Sequence, residues 1–183
     1  MKSIVLIALS VITLHATAQT QNISSMKRSN SKKTDLAVNN SDAFLKNEPI
    51  NRRYLNSVTE SSSSAISELE NVAANFNITT IDEYEANEPS EYQVTFKNEQ
   101  GHLYVTYNHD GQIIKSIERF KNIAIPSFLR VHLAKTYPNW SIGNNICTKQ
   151  YSILKGVKTI YKIEIQNGNT SKTISISNEG VLL

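Results

Sequence analysis

The sequence predicts an α+β fold in which helices pack on one face of an antiparallel sheet. Two stretches of sequence 69 residues apart carry the same apolar pattern, one running from Tyr92 to Ile114 and the other from Tyr161 to Leu183. Each stretch alternates apolar and polar residues on both sides of a polar turn and then reaches an acidic residue followed by glycine. An amphipathic segment with helical spacing precedes each stretch. We therefore predict a tandem repeat of a helix and an antiparallel β-meander.

The N-terminus has the features of a secretory signal peptide over residues 1–18. Lys2 precedes an apolar run from Ile4 to Leu9, and Ala16-Thr17-Ala18 supplies the small residues of a cleavage site. The run is too short to span a bilayer as a permanent helix. We expect cleavage near Ala18 and export to the periplasm or the extracellular space.

Residues 19–60 predict a disordered polar segment. They are rich in Ser, Asn and Lys, and their apolar residues follow no sustained period. Such a composition cannot bury enough apolar surface to offset the entropy of ordering. The apolar groups at 43–45 and 54–55 are expected at most to dock locally.

The first α+β repeat is predicted over residues 61–123. The serines at 62–64 offer a helix N-cap, and apolar residues follow at helical spacing as far as Phe76. The run from Ile78 to Tyr84 is rich in β-forming residues. Asp110-Gly111 is a hairpin signal because both residues tolerate the positive φ of a tight turn. Strands are predicted at 91–97, 102–107 and 113–120.

The second repeat is predicted over residues 124–183. Pro126 suits the start of an amphipathic helix, and Pro138 ends it. Glu179-Gly180 matches the turn of the first repeat. Strands are predicted at 141–153, 158–166 and 172–177.

Alternation along the predicted strands assigns two faces to the sheet. One face should pack on the helices, and it comprises Tyr92, Val94, Phe96, Leu103, Val105, Tyr107, Tyr161, Ile163, Ile165, Ile174 and Ile176. The opposite face should meet solvent with mostly polar side chains. Our candidate partner-binding surface takes residues of that face together with a tryptophan at the helix exit: Gln93, Thr95, His102, Tyr104, Thr106, Trp140, Ile160, Lys162 and Glu164. Trp140 is open to two interpretations, a seal on the core edge or an anchor for a partner.

Charge and cysteine content exclude several classes of protein. Without Lys2 the chain has 18 basic and 16 acidic residues, a near-balance that argues against a general nucleic-acid binder. The charge is uneven, because residues 112–183 hold ten Lys or Arg and three Glu, whereas 81–91 hold five acidic residues and no basic one. A single cysteine, Cys147, allows no internal disulfide.

No pattern of residues indicates catalysis, a metal or a cofactor. Pairing Cys147 with His132 would place a nucleophile beside a base, but Cys147 lies in a predicted strand next to Ile146, where a cysteine is usually a small packed side chain. The acidic residues at 81–91 lack the spacing of a calcium loop. We therefore expect a non-enzymatic protein without a cofactor.

A helix from Pro126 closes with Tyr137-Pro138-Asn139-Trp140, and a strand from Tyr161 and the ending Asn178-Glu-Gly180 follow it. With these motifs the chain resembles the PepSY-like domain of exported bacterial proteins, which is related in fold to the β-lactamase inhibitory protein. The resemblance covers residues 62–183 and is strongest over 124–183. It implies an exported, non-enzymatic module that engages a protein or peptide through an open sheet face.

Two alternative functions remain open beside this binding module. The resemblance also allows an inhibitor or chaperone of a secreted hydrolase or peptidase. The acidic segment 81–91 allows a periplasmic ion-buffering or stress protein. The partner in the cell envelope and the oligomeric state are not specified by the sequence.

Overall fold

A computed structural model describes residues 31–37, 50–59 and 63–183 of the chain. The predicted signal peptide, residues 1–18, lies outside the described residues. The helices are α1 (Arg52–Val58), α2 (Ser64–Asn75) and α3 (Ser127–Thr136). The strands are β1 (Ser31–Ala37), β2 (Glu91–Asn98), β3 (Gly101–Tyr107), β4 (Ile113–Lys121), β5 (Ser141–Ser152), β6 (Gly156–Asn167) and β7 (Thr170–Ser177).

The predicted α+β class is confirmed. Strands β2 to β7 form one antiparallel meander, in which every strand pairs with its neighbour in sequence. Strand β1 adds to the outer edge of β2 in parallel orientation and completes a seven-stranded sheet. The two predicted groups of three strands therefore join through β4 and β5 into a single sheet.

The helices cover one face of this sheet and enclose one core. Every residue predicted to face the helices is buried, from Tyr92 on β2 to Ile176 on β7. Helix α2 contributes Ile66 and Leu69 to the same cluster, and α3 contributes Leu129 and Leu133. Alternation of apolar and polar residues therefore predicted correctly which strand residues enter the core.

Two segments differ from their predicted secondary structure. Within residues 19–60, expected to be disordered, the structure places β1 and α1. Helix α1 is held by buried Tyr54 and Val58 and by Asn51, whose side chain bonds to the β3–β4 turn. The β-forming run after Asn77 instead makes a short 3₁₀ turn at Ile78–Thr80, because the Asn77 side chain accepts a hydrogen bond from the Thr79 amide at 3.1 Å.

The two outer hairpins of the meander share one register. In β2–β3, Tyr92 faces Tyr107 and Val94 faces Val105. In β6–β7, Tyr161 faces Ile176 and Ile163 faces Ile174. Adding 69 to each number of the first hairpin gives the second, so the spacing noted in the sequence is also the spacing of the strand pairing.

Candidate functional site

The face of the sheet opposite the helices, here called the open face, carries most of the predicted partner-binding residues. Gln93 and Thr95 of β2 lie beside Thr106 and Tyr104 of β3, to which they are directly paired. His102 completes this group on β3 and contacts Tyr104 ring to ring, with centroids 4.7 Å apart. These five residues therefore form one continuous part of the surface.

Thr95 is less available than its position suggests. It is 7% exposed although it points away from the core. Strand β1 runs along one side of it and the large Tyr104 side chain lies directly across on the other. Thr95 therefore offers a partner little accessible surface.

The three predicted residues of β6 lie on the open face, but away from the group around Tyr104. Ile160 and Lys162 of β6 are on the open face, at the other side of β4 and β5 from Tyr104. Glu164 accepts hydrogen bonds from Ser171 Oγ at 2.9 Å and from Asn144 Nδ2 at 3.3 Å. Its carboxylate is thus held on the open face near β7, away from Tyr104.

Trp140 lies on the helix side and not on the open face. The Lys172 ammonium sits 4.8 Å from the Trp140 ring centroid and 4.1 Å from that of Tyr137. Lys172 alternates with buried Ile174 and Ile176 on β7, which places this cluster on the side of the core. Trp140 is half-buried against the core, in keeping with the interpretation as a seal.

The centre of the open face is apolar and comes from a strand that our prediction left out. Ile117 of β4 pairs directly with Tyr104, and the two side chains are 49% and 46% exposed. Half-buried Ile146 and Ile160 lie one and two strands further along the sheet. A cluster of exposed aromatic and aliphatic side chains at the middle of a surface is the usual core of a protein interface.

Cations surround this apolar centre. Among the described side chains of β2 to β7, the open face has two carboxylates, Glu91 and Glu164, and six cations. The cations are Lys97, Lys115, Arg119, Lys121, Lys158 and Lys162. Three of them lie on β4 in alternation with core-facing residues, Lys115 before Ile117 and Arg119 and Lys121 after it. The period of two along Lys115–Lys121 was therefore the signal that could have identified them.

The cations are densest where β2 turns into β3. Lys97, His102 and Arg119 form a row of directly paired residues across three strands. Partial burial, followed by the positive charges of Arg119, Lys97 and Lys121, lowers the pKa of His102 from its ordinary value of 6.5. Burial and the cationic neighbours therefore both favour the neutral imidazole.

A second polar site is buried between the helices and the sheet. The Lys149 ammonium of β5 donates to Glu70 Oε1 of α2 at 2.6 Å and to the Val58 carbonyl of α1 at 2.8 Å. Glu118 of β4, the strand partner of Lys149, has its Oε2 atom 3.8 Å from the same ammonium. All three charged side chains are at most 1% exposed. We refer to Glu70, Glu118 and Lys149 as the buried charge cluster.

One ammonium in this cluster faces two carboxyl groups. Desolvation by burial raises the pKa of Glu118 to about 8, and the Glu70 charge raises it while Lys149 lowers it. The distances agree with this, because 3.8 Å is too long for a hydrogen bond and Lys149 bonds Glu70 instead. The Tyr54 hydroxyl lies 3.3 Å from Glu118 Oε1, and burial followed by the Glu118 charge raises the Tyr54 pKa. Burial therefore favours the neutral, protonated form of Glu118.

Cys147 and His132 are not brought together as a catalytic pair. The Cys147 thiol is buried, and desolvation raises its pKa to about 12. The charged and polar groups that act on this thiol are Lys149, Glu118, Tyr161 and Glu70. His132 lies on α3, half-buried, with its backbone carbonyl bonded to Thr136.

Across residues 31–37, 50–59 and 63–183, no group of three or more His, Cys, Asp or Glu side chains is arranged to hold a metal ion. In the same part of the chain, no helix has both the length and the hydropathy needed to cross a bilayer. Comparison with protein-family models gave no match, and comparisons with curated proteins and with solved structures gave none either. The resemblance to PepSY-like domains therefore remains a prediction from the sequence.

Proposed function

We propose that this chain is an exported, non-enzymatic binding module that engages a protein or peptide through its open sheet face. The main evidence for this proposal is the exposed pair Tyr104–Ile117 at the centre of that face, with cations around it. No described helix or loop segment covers this pair. Aromatic and aliphatic side chains that stay exposed in the middle of a rigid sheet provide contact area with little loss of conformational entropy on binding.

The scaffold supports the proposal because a sheet holds its side chains at fixed spacing.

We extend the proposal to a duplicated scaffold, in which the β2–β3 and β6–β7 hairpins are equivalent. The shared register of these hairpins, offset by 69 residues, supports this relation. Strand β1 lies beside β2 as β5 lies beside β6, although β1 runs parallel and β5 antiparallel.

A crosslinking experiment with matched variants tests the function. Protein with a photoreactive group at Thr106 is incubated with envelope extract of the source cells, and crosslinked species are compared among three forms. Tyr104→Ser with Ile117→Ser removes the apolar centre, whereas Phe128→Ser with Val131→Ser removes comparable exposed apolar area from α3. We expect the first variant to lose the crosslinked partner and the second to keep it.

The outcome also separates the alternatives. Equal crosslinking by all three forms would contradict binding through the open face. If the captured partner is a hydrolase or peptidase, its activity is then titrated with the purified chain, and inhibition would favour the inhibitor alternative. Export is tested separately by N-terminal sequencing of the mature protein, for which we expect Gln19 as the first residue.

A further inference from the structure

One corner of the open face combines a depression with a concentration of positive charge. The depression has a volume of about 260 Å³ and lies at the β2–β3 turn. It is lined by the turn residues 98–101 and by four basic side chains: Lys97, His102, Arg119 and Lys121. Glu99 is the one carboxylate in its lining. We call this feature the cationic corner.

The shape of the corner depends on a glycine. Gly101 pairs with Phe120 across β3 and β4, and a Cβ atom at Gly101 would collide with the carbonyl oxygen of Arg119. Any other residue would push β3 and β4 apart at the point where Arg119 is held over the depression. The close approach of the two backbones therefore fixes the spacing of the basic row.

Protonation of His102 would cost stability when the corner is empty. Like charges directly opposite each other on neighbouring strands repel. Lys97 faces His102 and His102 faces Arg119, so the row contains two such pairs whenever the imidazole is protonated. Partial burial lowers the pKa of His102, and the charges of Arg119, Lys97 and Lys121 lower it further, so the imidazole gives up its proton more readily. An anion in the depression would remove the repulsion.

We infer that the cationic corner is the anion-binding part of the open face, and that the partner is an acidic polypeptide whose Asp or Glu carboxylates enter it. This inference rests on the proposed function. The corner adjoins the apolar centre through His102, which contacts Tyr104. One segment with a carboxylate beside an apolar side chain therefore reaches both features, with the carboxylate on Arg119 and Lys121 and the apolar group on Ile117.

A polypeptide fits the surface better than a nucleic acid does. Single-stranded nucleic acids stack their bases on successive aromatic side chains. The described part of the open face exposes one tyrosine, Tyr104, and its other large apolar side chains are isoleucines: Ile117, Ile146 and Ile160. Aliphatic groups of this kind suit the side chains of a peptide.

The probe for the test is a pair of fluorescein-labelled peptides, one alternating Glu with Leu and Val and the other carrying Gln in place of each Glu. Binding is measured by fluorescence anisotropy at low and high salt. We expect the acidic peptide to bind the native chain and the Gln peptide to bind at least about tenfold more weakly. Binding of the acidic peptide should weaken with salt because the charges are partly exposed.

Two variants with the same change of net charge localise the site. Arg119→Gln with Lys121→Gln alters the corner, whereas Lys135→Gln with Lys155→Gln alters exposed lysines of α3 and the β5–β6 turn. We expect about a tenfold loss of affinity in the corner variant and less than a twofold change in the control. The His102 pKa, followed by NMR of ¹³C-labelled histidine, should rise when the acidic peptide binds, since a nearby carboxylate favours the imidazolium.

The outcomes distinguish this inference from the proposed function. If the crosslinked partner binds the corner variant as well as the native chain, the inference is overturned and the open-face module stands. If the Tyr104 and Ile117 variant also keeps the partner, both are overturned. Single-stranded DNA or anionic phosphatidylserine vesicles that bind through the corner while the acidic peptide does not would likewise overturn the acidic-polypeptide assignment.

Discussion

Replacing Glu118 with glutamine is expected to abolish most of the fall in stability that the native protein shows between pH 5 and pH 8. In the folded chain the buried Glu118 carboxyl keeps its proton up to a pKa of about 8, against an ordinary value of 4.5. Between these two pH values the folded state binds more protons than the unfolded state, so the free energy of unfolding falls as the pH rises. The stabilisation is complete below pH 4.5 and is lost as the pH passes through about 8.

The size of the effect follows from the two pKa values. Each pH unit between them is equivalent to about 1.36 kcal/mol, so the interval from 4.5 to about 8 sets an upper limit of about 5 kcal/mol. The part that falls between pH 5 and pH 8 is about 3 kcal/mol. Glutamine at this position stays neutral at every pH, keeps an oxygen for the Tyr54 hydroxyl, and offers an amide N–H to the Glu70 carboxylate.

Guanidinium chloride unfolding at pH 5, 6.5 and 8 measures this effect, with the native chain and Glu118→Gln compared at each pH. We expect the two proteins to have similar stability at pH 5. At pH 8 we expect Glu118→Gln to be more stable than the native chain by about 3 kcal/mol. Glu88→Gln makes the same charge change at an exposed position and should leave the pH dependence parallel to that of the native chain. Equal pH dependence of the native chain and Glu118→Gln would refute the reasoning, because Glu118 would then ionise as readily in the fold as in the unfolded chain.

Three further predictions concern stability and reactivity. Asn51→Ala removes two buried hydrogen bonds, of 3.0 and 2.8 Å, to the β3–β4 turn, and should lower the free energy of unfolding by about 2 to 4 kcal/mol in denaturant titration, with the exposed Asn71→Ala as control. Gly101→Ala should lower the free energy of unfolding by about 2 kcal/mol or more in the same assay, because the alanine Cβ atom would collide with the backbone of β4. An unchanged unfolding midpoint would contradict that collision. Cys147 should react with a thiol reagent at pH 8 about a thousandfold more slowly in the native than in the denatured protein, and equal rates would show that the thiol is not buried.

Alternation along the strands was enough to predict which residues of β2, β3, β6 and β7 enter the core, since a period of two leaves little choice once one face is apolar. The helices α2 and α3 were predicted from apolar spacing, with the serines at 62–64 and Pro126 marking their N-terminal ends. The same signals failed for α1 and β1. Helix α1 has seven residues and depends on tertiary contacts of Tyr54 and Val58, which local sequence does not display.

The buried charge cluster shows a different reason why sequence was insufficient. Glu118 and Lys149 occupy core-facing positions on neighbouring strands. Two residues further along the same strands, Phe120 and Tyr151 are also buried. A charged residue in such a position is usually assigned to solvent when strands are considered one at a time. Only the pairing of β4 with β5, and the position of Glu70 on α2, reveals that these charges meet. The cationic corner was missed for the same reason, because its row crosses three strands.

The sequential pairing of the meander has a consequence for the order in which the chain folds. Hairpins between neighbouring strands close short loops, and such local contacts form quickly. The bond from the Lys149 ammonium to the Val58 carbonyl instead joins residues 91 positions apart. If the hairpins form the folding nucleus, a contact between residues so far apart in sequence forms only after the folding transition state. Weakening it should then accelerate unfolding while the refolding rate stays nearly constant.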